Sequence, residues 1–320
     1  MNLALPIAVA SAIVLGPGVA AAQTYGVASN AQGSSGYTMA SAVAKVAVEK
    51  ASMQAVVQPY AGTSTYIPLL NQGKIDFGVM NSIEAALAYA GQDTFKDNPN
   101  KNLRIAARLN DFYVSFVVRK DSGINTLADL KGKRVAWGYA SQTIVLPLVR
   151  ATMANAGMTE NDFKPVLVPN LTKAAEALSS NAVDASFHVV GTAAVTQIDA
   201  SVGGVRYLPF STDSVRVKAM QDIVPGTLVR VMQPGPGTVG VGTPTPMMSY
   251  PTILAVGANV PDNAVYGMVK ALQSNKEALV AVHALFESFD PQGMTFPIDV
   301  PYHPGAIKFY EETKQWPPKG

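Results

Sequence analysis

The stretch "LNQGKIDFGVM" (residues 70–80) has a counterpart about 108 residues further along the chain, "LSSNAVDASFH" (178–188). Each stretch ends a helix-like run at a Gly or Asn, residue types that accept the left-handed backbone of a helix C-terminus. Each then begins a strand with a β-branched residue followed by an aspartate, Asp76 in the first and Asp184 in the second. The chain therefore carries one short structural unit twice.

The similarity extends upstream of both stretches. Val27-Ala28 and Val135-Ala136 each precede a polar loop and a helix-like run. Strand-like segments follow at 54–60 and 165–169, and each leads into a further helix-like segment. Because strands that alternate with helices form parallel sheets with right-handed crossovers, the pattern predicts an α/β protein. We expect two lobes of like construction, each a mixed, mostly parallel sheet flanked by helices.

Two extended segments, 111–120 and 251–258, are predicted to cross between the lobes as hinge strands. Lobe one then comprises residues 23–115 plus 252–320, and lobe two comprises 116–251. With only two crossings, the lobes can move toward each other by backbone rotation at a few residues.

The Pro- and Gly-rich segment 232–251 is predicted to be a surface loop, because proline and glycine interrupt regular helices. Helices are expected at about 262–274 and 276–288.

The N-terminus has the pattern of a secretory signal peptide, residues 1–22. Leu3–Leu15 is apolar but shorter than the ~20 residues that span a bilayer. Helix-breaking Gly16-Pro17-Gly18 and an A-x-A site, with cleavage near Ala22, come next. No Lys or Arg precedes Leu3, which departs from the usual pattern, and a buried N-terminal helix is the alternative. We expect export to the periplasm.

Composition excludes several classes of function. A formal charge of +2 with 14% charged residues gives no basic surface for nucleic acid. Cysteine is absent, which excludes thiolate and disulfide chemistry. The three histidines, His188, His283 and His303, lack partners at ligand spacing, so neither a metal nor another cofactor is expected. A monomer is expected.

The loop "SNAQGSSGY" (29–37) joins a strand to a helix, where free backbone N–H groups collect and bind anions. Gly33 and Gly36 allow close approach of a ligand, and Ser34 and Ser35 supply hydroxyl groups near the helix that starts about Tyr37. We expect this loop to bind a carboxylate.

Ligands of open parallel sheets bind beyond the carboxyl ends of the strands, and this rule gives the other candidate residues. Lobe one contributes the opening loop and the starts of its next two helices, and lobe two contributes the matching positions. The candidate ligand-binding residues are Ser34, Ser35, Gly36, Tyr37, Thr63, Ser64, Asn81, Ser82, Tyr113, Ser141, Gln142, Thr143 and His188, with Asn170 at a further helix start.

Structural alternatives apply to several of these residues. Serine and threonine are also the preferred N-cap residues of ordinary helices. His188 fits a structural role as well as a ligand contact, and Trp137 and Tyr139 fit core packing as well as stacking. Nothing in the sequence supports a Ser-His-Asp arrangement, and no catalytic residue is assigned.

Four stretches in order carry a family resemblance: "LLNQGKIDFGVMNSIEAALAY", "LRIAARLNDFYVSFVVRKDSGINTLADLKGKRVAWG", "AAEALSSNAVDASFHVVG" and "YHPGAIKFYEE". The chain resembles the TAXI family of periplasmic receptors for TRAP-type secondary transporters. The resemblance implies a two-lobed fold of the type II periplasmic-binding-protein kind and a membrane permease as partner. Gln142 stands where the family usually has glycine, which places a family-typical acid such as glutamate in question.

The sequence therefore predicts a non-enzymatic receptor that captures a small organic acid or amino acid and delivers it to a TRAP permease. The alternatives are a receptor for an ABC importer, such as one for sulfonates or thiamine-pyrimidine precursors, and an enzyme on the same fold. Porphobilinogen deaminase shares that architecture but needs a cysteine, which this chain lacks.

Overall fold

The two sequence units fold into equivalent halves of one continuous sheet. The computed structural model describes residues 23–318, so the predicted signal peptide lies outside the described residues. The first half consists of β1 (Thr24–Ser29), α1 (Ser35–Ala51), β2 (Gln54–Pro59), α2 (Thr63–Asn71), β3 (Phe77–Asn81) and α3 (Ser82–Ala90), followed by β4 (Leu103–Arg119).

The second half repeats this order. It consists of β5 (Arg134–Gly138), α4 (Val145–Asn155), β6 (Lys164–Val168), α5 (Leu171–Ser179), β7 (Ala185–Val189) and α6 (Ala193–Val202). The remaining elements are β8 (Val205–Tyr207), α7 (Ser214–Ile223), β9 (Leu228–Met232), β10 (Thr245–Gly257), α8 (Asp262–Ser274), α9 (Lys276–Val282) and α10 (Pro304–Glu312).

The strand order β2-β1-β3-β10-β4-β7-β5-β6 is symmetric about its middle. On one side, β1 pairs in parallel with β2 and β3, and on the other, β5 pairs in parallel with β6 and β7. The crossing strands β10 and β4 run antiparallel to β3 and β7 and to each other. The two-lobed, mostly parallel α/β architecture predicted from the sequence is confirmed.

The repeated aspartates occupy matching places. The Asp76 carboxylate accepts a hydrogen bond from the backbone N–H of Gly26 at 2.8 Å, and that of Asp184 accepts one from Arg134 N–H at 2.8 Å. Each aspartate thereby ties the start of the third strand of its half to the start of the first. Asp184 also forms an ion pair with Arg134 at 2.7 Å, which lowers the pKa of its carboxyl. Burial instead raises the pKa of Asp76.

Two apolar cores lie on either side of the crossing strands. One is formed by buried side chains between Val27 and Leu109 and between Ile253 and Tyr310. The other contains Ile83 and buried side chains between Val114 and Tyr250. The packing of α2 on β3 is tight at Gly78, where a Cβ would lie 2.9 Å from Leu70 Cδ1 and 3.0 Å from Tyr66 Cε2.

The crossing strands β4 and β10 begin earlier than the predicted segments 111–120 and 251–258. The prediction of a surface loop over 232–251 is therefore wrong for its last residues. Residues 245–251 belong to β10, which pairs with β9 and buries Met247 and Met248 completely. Pro251 is tolerated because the register with β4 shifts next to it, where a ladder N–H is not required. The expected helix 276–288 is α9 followed by a 3₁₀ turn, Ala284–Ser288, after an extended His283.

The aspartate tie in the second half yields a stability prediction. Replacing Asp184 by Ala removes a charge-assisted hydrogen bond and leaves Arg134 N–H without its acceptor, which we expect to lower the free energy of unfolding by about 1–2 kcal/mol. Asp222→Ala is the matched control, because its ion pair with Lys218 lies on the surface, with the aspartate 61% exposed, and such pairs contribute about 0–1 kcal/mol. Urea denaturation measures both; equal losses would contradict the role given to Asp184.

Candidate ligand-binding site

A cavity opens between the two halves, beyond the carboxyl ends of the parallel strands. The loops or helix starts after β1, β2, β3, β5, β6 and β7 all reach it, and Phe112 and Tyr250 of the crossing strands form its floor. Its volume is about 110 Å³. An engineered cavity of about 150 Å³ holds benzene, so this smaller space fits a ligand of about four to six non-hydrogen atoms.

The structure brings six of the thirteen candidate residues to this cavity. They are Ser34, Ser35, Thr63 and Asn81 from the first half and Gln142 and His188 from the second, and Asn170 joins them. Their role in ligand binding stays a prediction.

The other candidates lie beside the cavity or away from it. Gly36 and Tyr37 are in the first turn of α1, and Ser64 and Ser82 are at the starts of α2 and α3. Tyr113 lines a separate cavity on β4 with Asp111 and Gly191.

Ser141 and Thr143 form contacts between the halves. The Thr94 hydroxyl, in the 3₁₀ turn Asp93–Phe95, donates to the Thr143 hydroxyl at 3.0 Å. A Cβ built on Gly62 would lie only 2.7 Å from the carbonyl oxygen of Ser141. The loop before α2 and the loop after β5 therefore touch, and together they close one side of the cavity.

Most helix starts at the cavity are capped by their own chain. Ser34 Oγ accepts from Tyr37 N–H at 3.1 Å, so the helix begins at Ser35 rather than near Tyr37. Asn81 and Asn170 cap α3 and α5 in the same way, accepting from Glu84 N–H at 2.7 Å and Lys173 N–H at 2.9 Å. These donors are not free to bind a ligand anion.

Gln142 connects the two loops of the second half. Its side-chain Oε1 accepts from the Leu171 N–H at 2.8 Å, at the first residue of α5. The amide oxygen thus occupies a helix N-terminal donor that a ligand carboxylate would otherwise use. Glycine, which the TAXI family usually has at position 142, has no side chain and could not make this contact.

His188 is the only histidine that lines the cavity among the described residues, and it is 2% exposed. Its Nε2 lies 2.9 Å from Ser186 Oγ on the same strand. Burial lowers the pKa of His188 to about 4, so the ring is neutral at pH 7. It offers the cavity a polar surface without a charge.

The two aromatic residues of the second loop pack in the core. Trp137 packs against Phe163 with ring centroids 5.1 Å apart and ring planes tilted by 58°, and Tyr139 is fully buried with its hydroxyl donating to Ala136 O at 3.3 Å. Neither lines the cavity.

Glu84 is the functional candidate that the sequence reasoning missed. It is 2% exposed and lines the cavity from the first turn of α3. Burial raises the pKa of its carboxyl to about 7, against lowering contributions from Thr63 and Asn81 and a smaller raising contribution from Asp93. The spacing Asn81-x-x-Glu84 after a buried strand was the available signal, but it has the form of an ordinary helix capping pair.

The raised pKa of Glu84 predicts how stability depends on pH. An acid whose folded pKa lies above its unfolded value of 4.5 stabilises the fold most below that value and loses this contribution as pH rises through about 7. Between those limits, ligand-free wild type should lose roughly 3 kcal/mol relative to Glu84→Gln, which does not titrate. Exposed Glu49→Gln is the matched control and should follow wild type. Urea denaturation across this pH range measures the difference; a constant gap between wild type and Glu84→Gln would contradict it.

The fold is similar to that of several solved structures. A protein from Bordetella bronchiseptica RB50 superposes with a TM-score of 0.52 at 16% identity, covering 90% of this chain and 88% of that chain. A TctC solute-binding protein from Polaromonas gives 0.50 at 17% identity, with 83% and 90% covered. A chloride-bound protein from Xanthomonas citri gives 0.50 at 12% identity, with 90% and 95% covered.

A protein-family model supplies the closer relationship. It matches residues 27–313, from the middle of β1 to just past the end of α10, and so includes both halves, both crossing strands and every residue that lines the cavity. The chain belongs to the NMT1-like family.

Proposed function

We propose that this protein is an exported solute receptor that captures a small organic acid or amino acid between its lobes and delivers it to a membrane permease. The observation that carries the proposal is a cavity lined from both halves of a repeated unit, with only β4 and β10 crossing between the halves. A ligand there touches both halves at once. Since such contacts exist together only when the halves are close, binding shifts the population toward the closed form.

The family and the fold support a binding role rather than catalysis. The Polaromonas neighbour is named as a solute-binding protein. Among residues 23–318, no group of three His, Asp or Glu side chains is placed to hold a metal ion, and no helix is long and apolar enough to cross a membrane. Lobe boundaries at 23–115 plus 252–320 and 116–251 agree with two apolar cores that meet at the crossing strands.

We propose a TRAP-type secondary transporter as the partner, on the family resemblance of the four sequence stretches. A receptor for an ABC importer is the alternative. The genes that flank this one distinguish them, because a TRAP system encodes membrane subunits without an ATPase.

A thermal-shift screen against organic acids and amino acids tests the receptor function. A ligand at 100 times its Kd adds roughly 2.7 kcal/mol to the free energy of unfolding, a clear upward shift of the midpoint. Compounds of about four to six non-hydrogen atoms should stabilise most, given the cavity volume of about 110 Å³. If nothing in a broad panel of both classes shifts the midpoint, the proposal fails.

Gly62 gives a test of closure. Its φ of −173° is ordinary extended backbone, so alanine is tolerated within lobe one, but the new Cβ would lie 2.7 Å from Ser141 O in lobe two. Gly62→Ala should therefore leave unfolding unchanged and oppose closure. A clash of this kind costs about 1–3 kcal/mol, so ligand affinity should fall about 5- to 100-fold.

Titration calorimetry with the most stabilising compound of the screen measures the effect of Gly62→Ala. Gly242→Ala is the control, because a Cβ there meets open space. Wild-type affinity in Gly62→Ala would mean that the ligand binds without bringing these two loops together.

A further inference from the structure

The charge of the cavity is set by one residue. Among the described residues that line it, Glu84 is the only Asp or Glu, and neither Lys nor Arg is present. The remaining polar contacts come from hydroxyls, amides and the neutral imidazole of His188. A ligand that enters therefore meets one carboxyl group and no opposing positive charge.

The protein does not neutralise this carboxyl group. Within residues 23–318, Glu84 takes part in no ion pair with Lys, Arg or His. Its side-chain donors are the neutral groups of Thr63 and Asn81, and Asn81 Nδ2 lies 3.4 Å from Oε2, a long contact for a hydrogen bond. A buried carboxylate needs a partner of opposite charge or strong donors to stay ionised.

The other titratable groups around Glu84 do not supply that partner. Asp93, Tyr66 and Tyr250 interact with it electrostatically, and each is an acid. His188 lines the same cavity as a neutral ring. The remaining place from which a cation can reach Glu84 is the cavity itself.

Several donors that could hold an anion are already used. Tyr37 N–H, Lys173 N–H and Leu171 N–H, all at helix starts beside the cavity, are hydrogen-bonded to Ser34, Asn170 and Gln142. The starts of α2 and α4 have no side-chain cap, so the donors left to a ligand are neutral groups. A simple carboxylate ligand would meet those neutral donors together with the carboxyl of Glu84 and no positive side chain.

We propose that the ligand carries a cationic nitrogen, an ammonium or amidinium group, which binds the carboxylate of Glu84. The inference rests on the proposed receptor function and narrows its ligand class: amino acids and amines fit, and simple organic acids do not. The cation offsets the cost of burying an ionised Glu84, so empty protein holds the group partly protonated and bound protein holds it ionised.

The experiment uses matched probes near the size of the cavity, measured by titration calorimetry on the mature chain. L-alanine is compared with L-lactate, and n-propylammonium with n-propanol, so that each pair differs only in replacing ammonium by hydroxyl. Within a pair that binds, the ammonium member should bind at least tenfold tighter. This preference should disappear in Glu84→Gln and persist in Glu84→Asp, which keeps the charge.

Controls separate the charge of Glu84 from a loss of structure. Glu49→Gln removes an exposed carboxylate from lobe one and should retain the wild-type preference. Glu84→Gln should still unfold in a single cooperative urea transition, which a misfolded chain would not show.

The pH dependence of n-propylammonium binding gives a second readout. The probe stays charged below pH 9, so affinity should fall as pH drops below about 7, where Glu84 takes up a proton. His188 does not titrate in this range, since burial lowers its pKa to about 4, and burial raises the pKa values of Tyr66 and Tyr250 above it. Glu84→Gln should remove the pH dependence of binding, which would assign that dependence to Glu84 and not to Asp93.

Three results would overturn the proposal, and they differ in what they say about the receptor function. If L-lactate or n-propanol binds as tightly as its ammonium counterpart, the cation assignment fails and the receptor function stands. If no member of either pair binds, the cation assignment fails and the acid and amino-acid thermal-shift screen alone decides the receptor function. A preference for ammonium that survives Glu84→Gln also rejects Glu84 as its cause.

Discussion

The antiparallel pairing of β4 with β10 is the constraint on which the rest of the structure depends. It runs from Met248 opposite Val114 to Gly257 opposite Leu103, and it joins two otherwise separate parallel sheets edge to edge. Because the halves are built alike and meet through these strands, the carboxyl ends of all six parallel strands turn toward one gap. The cavity is a consequence of that pairing rather than of any single loop.

The same arrangement brings many helix starts to the cavity, and they are satisfied in different ways. Serine and asparagine at the strand ends cap α1, α3 and α5 within the chain, whereas α2 and α4 have no side-chain cap. Beside these neutral groups, Glu84 is the one Asp, Glu, Lys or Arg among the described residues that line the cavity. The charge of the site therefore depends on this one acid.

The sequence predicted the fold well because its signal is repeated. Asp76 and Asp184 recur at the same place in each unit, and both accept from the first strand of their half. The segment 245–251 was misjudged because Pro246 and Pro251 have the local signature of a loop, while pairing with β9 and burial of the methionines between them favour a strand. Long-range pairing of this kind is not visible in local composition.

Prediction of the candidate site was less complete for a related reason. The rule that ligands bind beyond strand ends located Ser35, Thr63 and His188 at the cavity, since it depends only on topology. It could not separate a hydroxyl that caps a helix from one that is free, as Ser34 shows. Nor could it find Glu84, the third residue of α3, because an acid in the first turn of a helix is equally typical of an exposed position.

The central claim is that the two halves close around a ligand. Since the chain has no cysteine, Lys96→Cys and Lys173→Cys can be spin-labelled as a pair, with one exposed label on each side of the cavity. Distances are measured by pulsed electron paramagnetic resonance, without ligand and with the most stabilising compound at saturation. The account predicts a shorter and narrower distance distribution on binding, with the mean decreasing by several Å, as is typical of hinge closure. An identical distribution in the two states would contradict it.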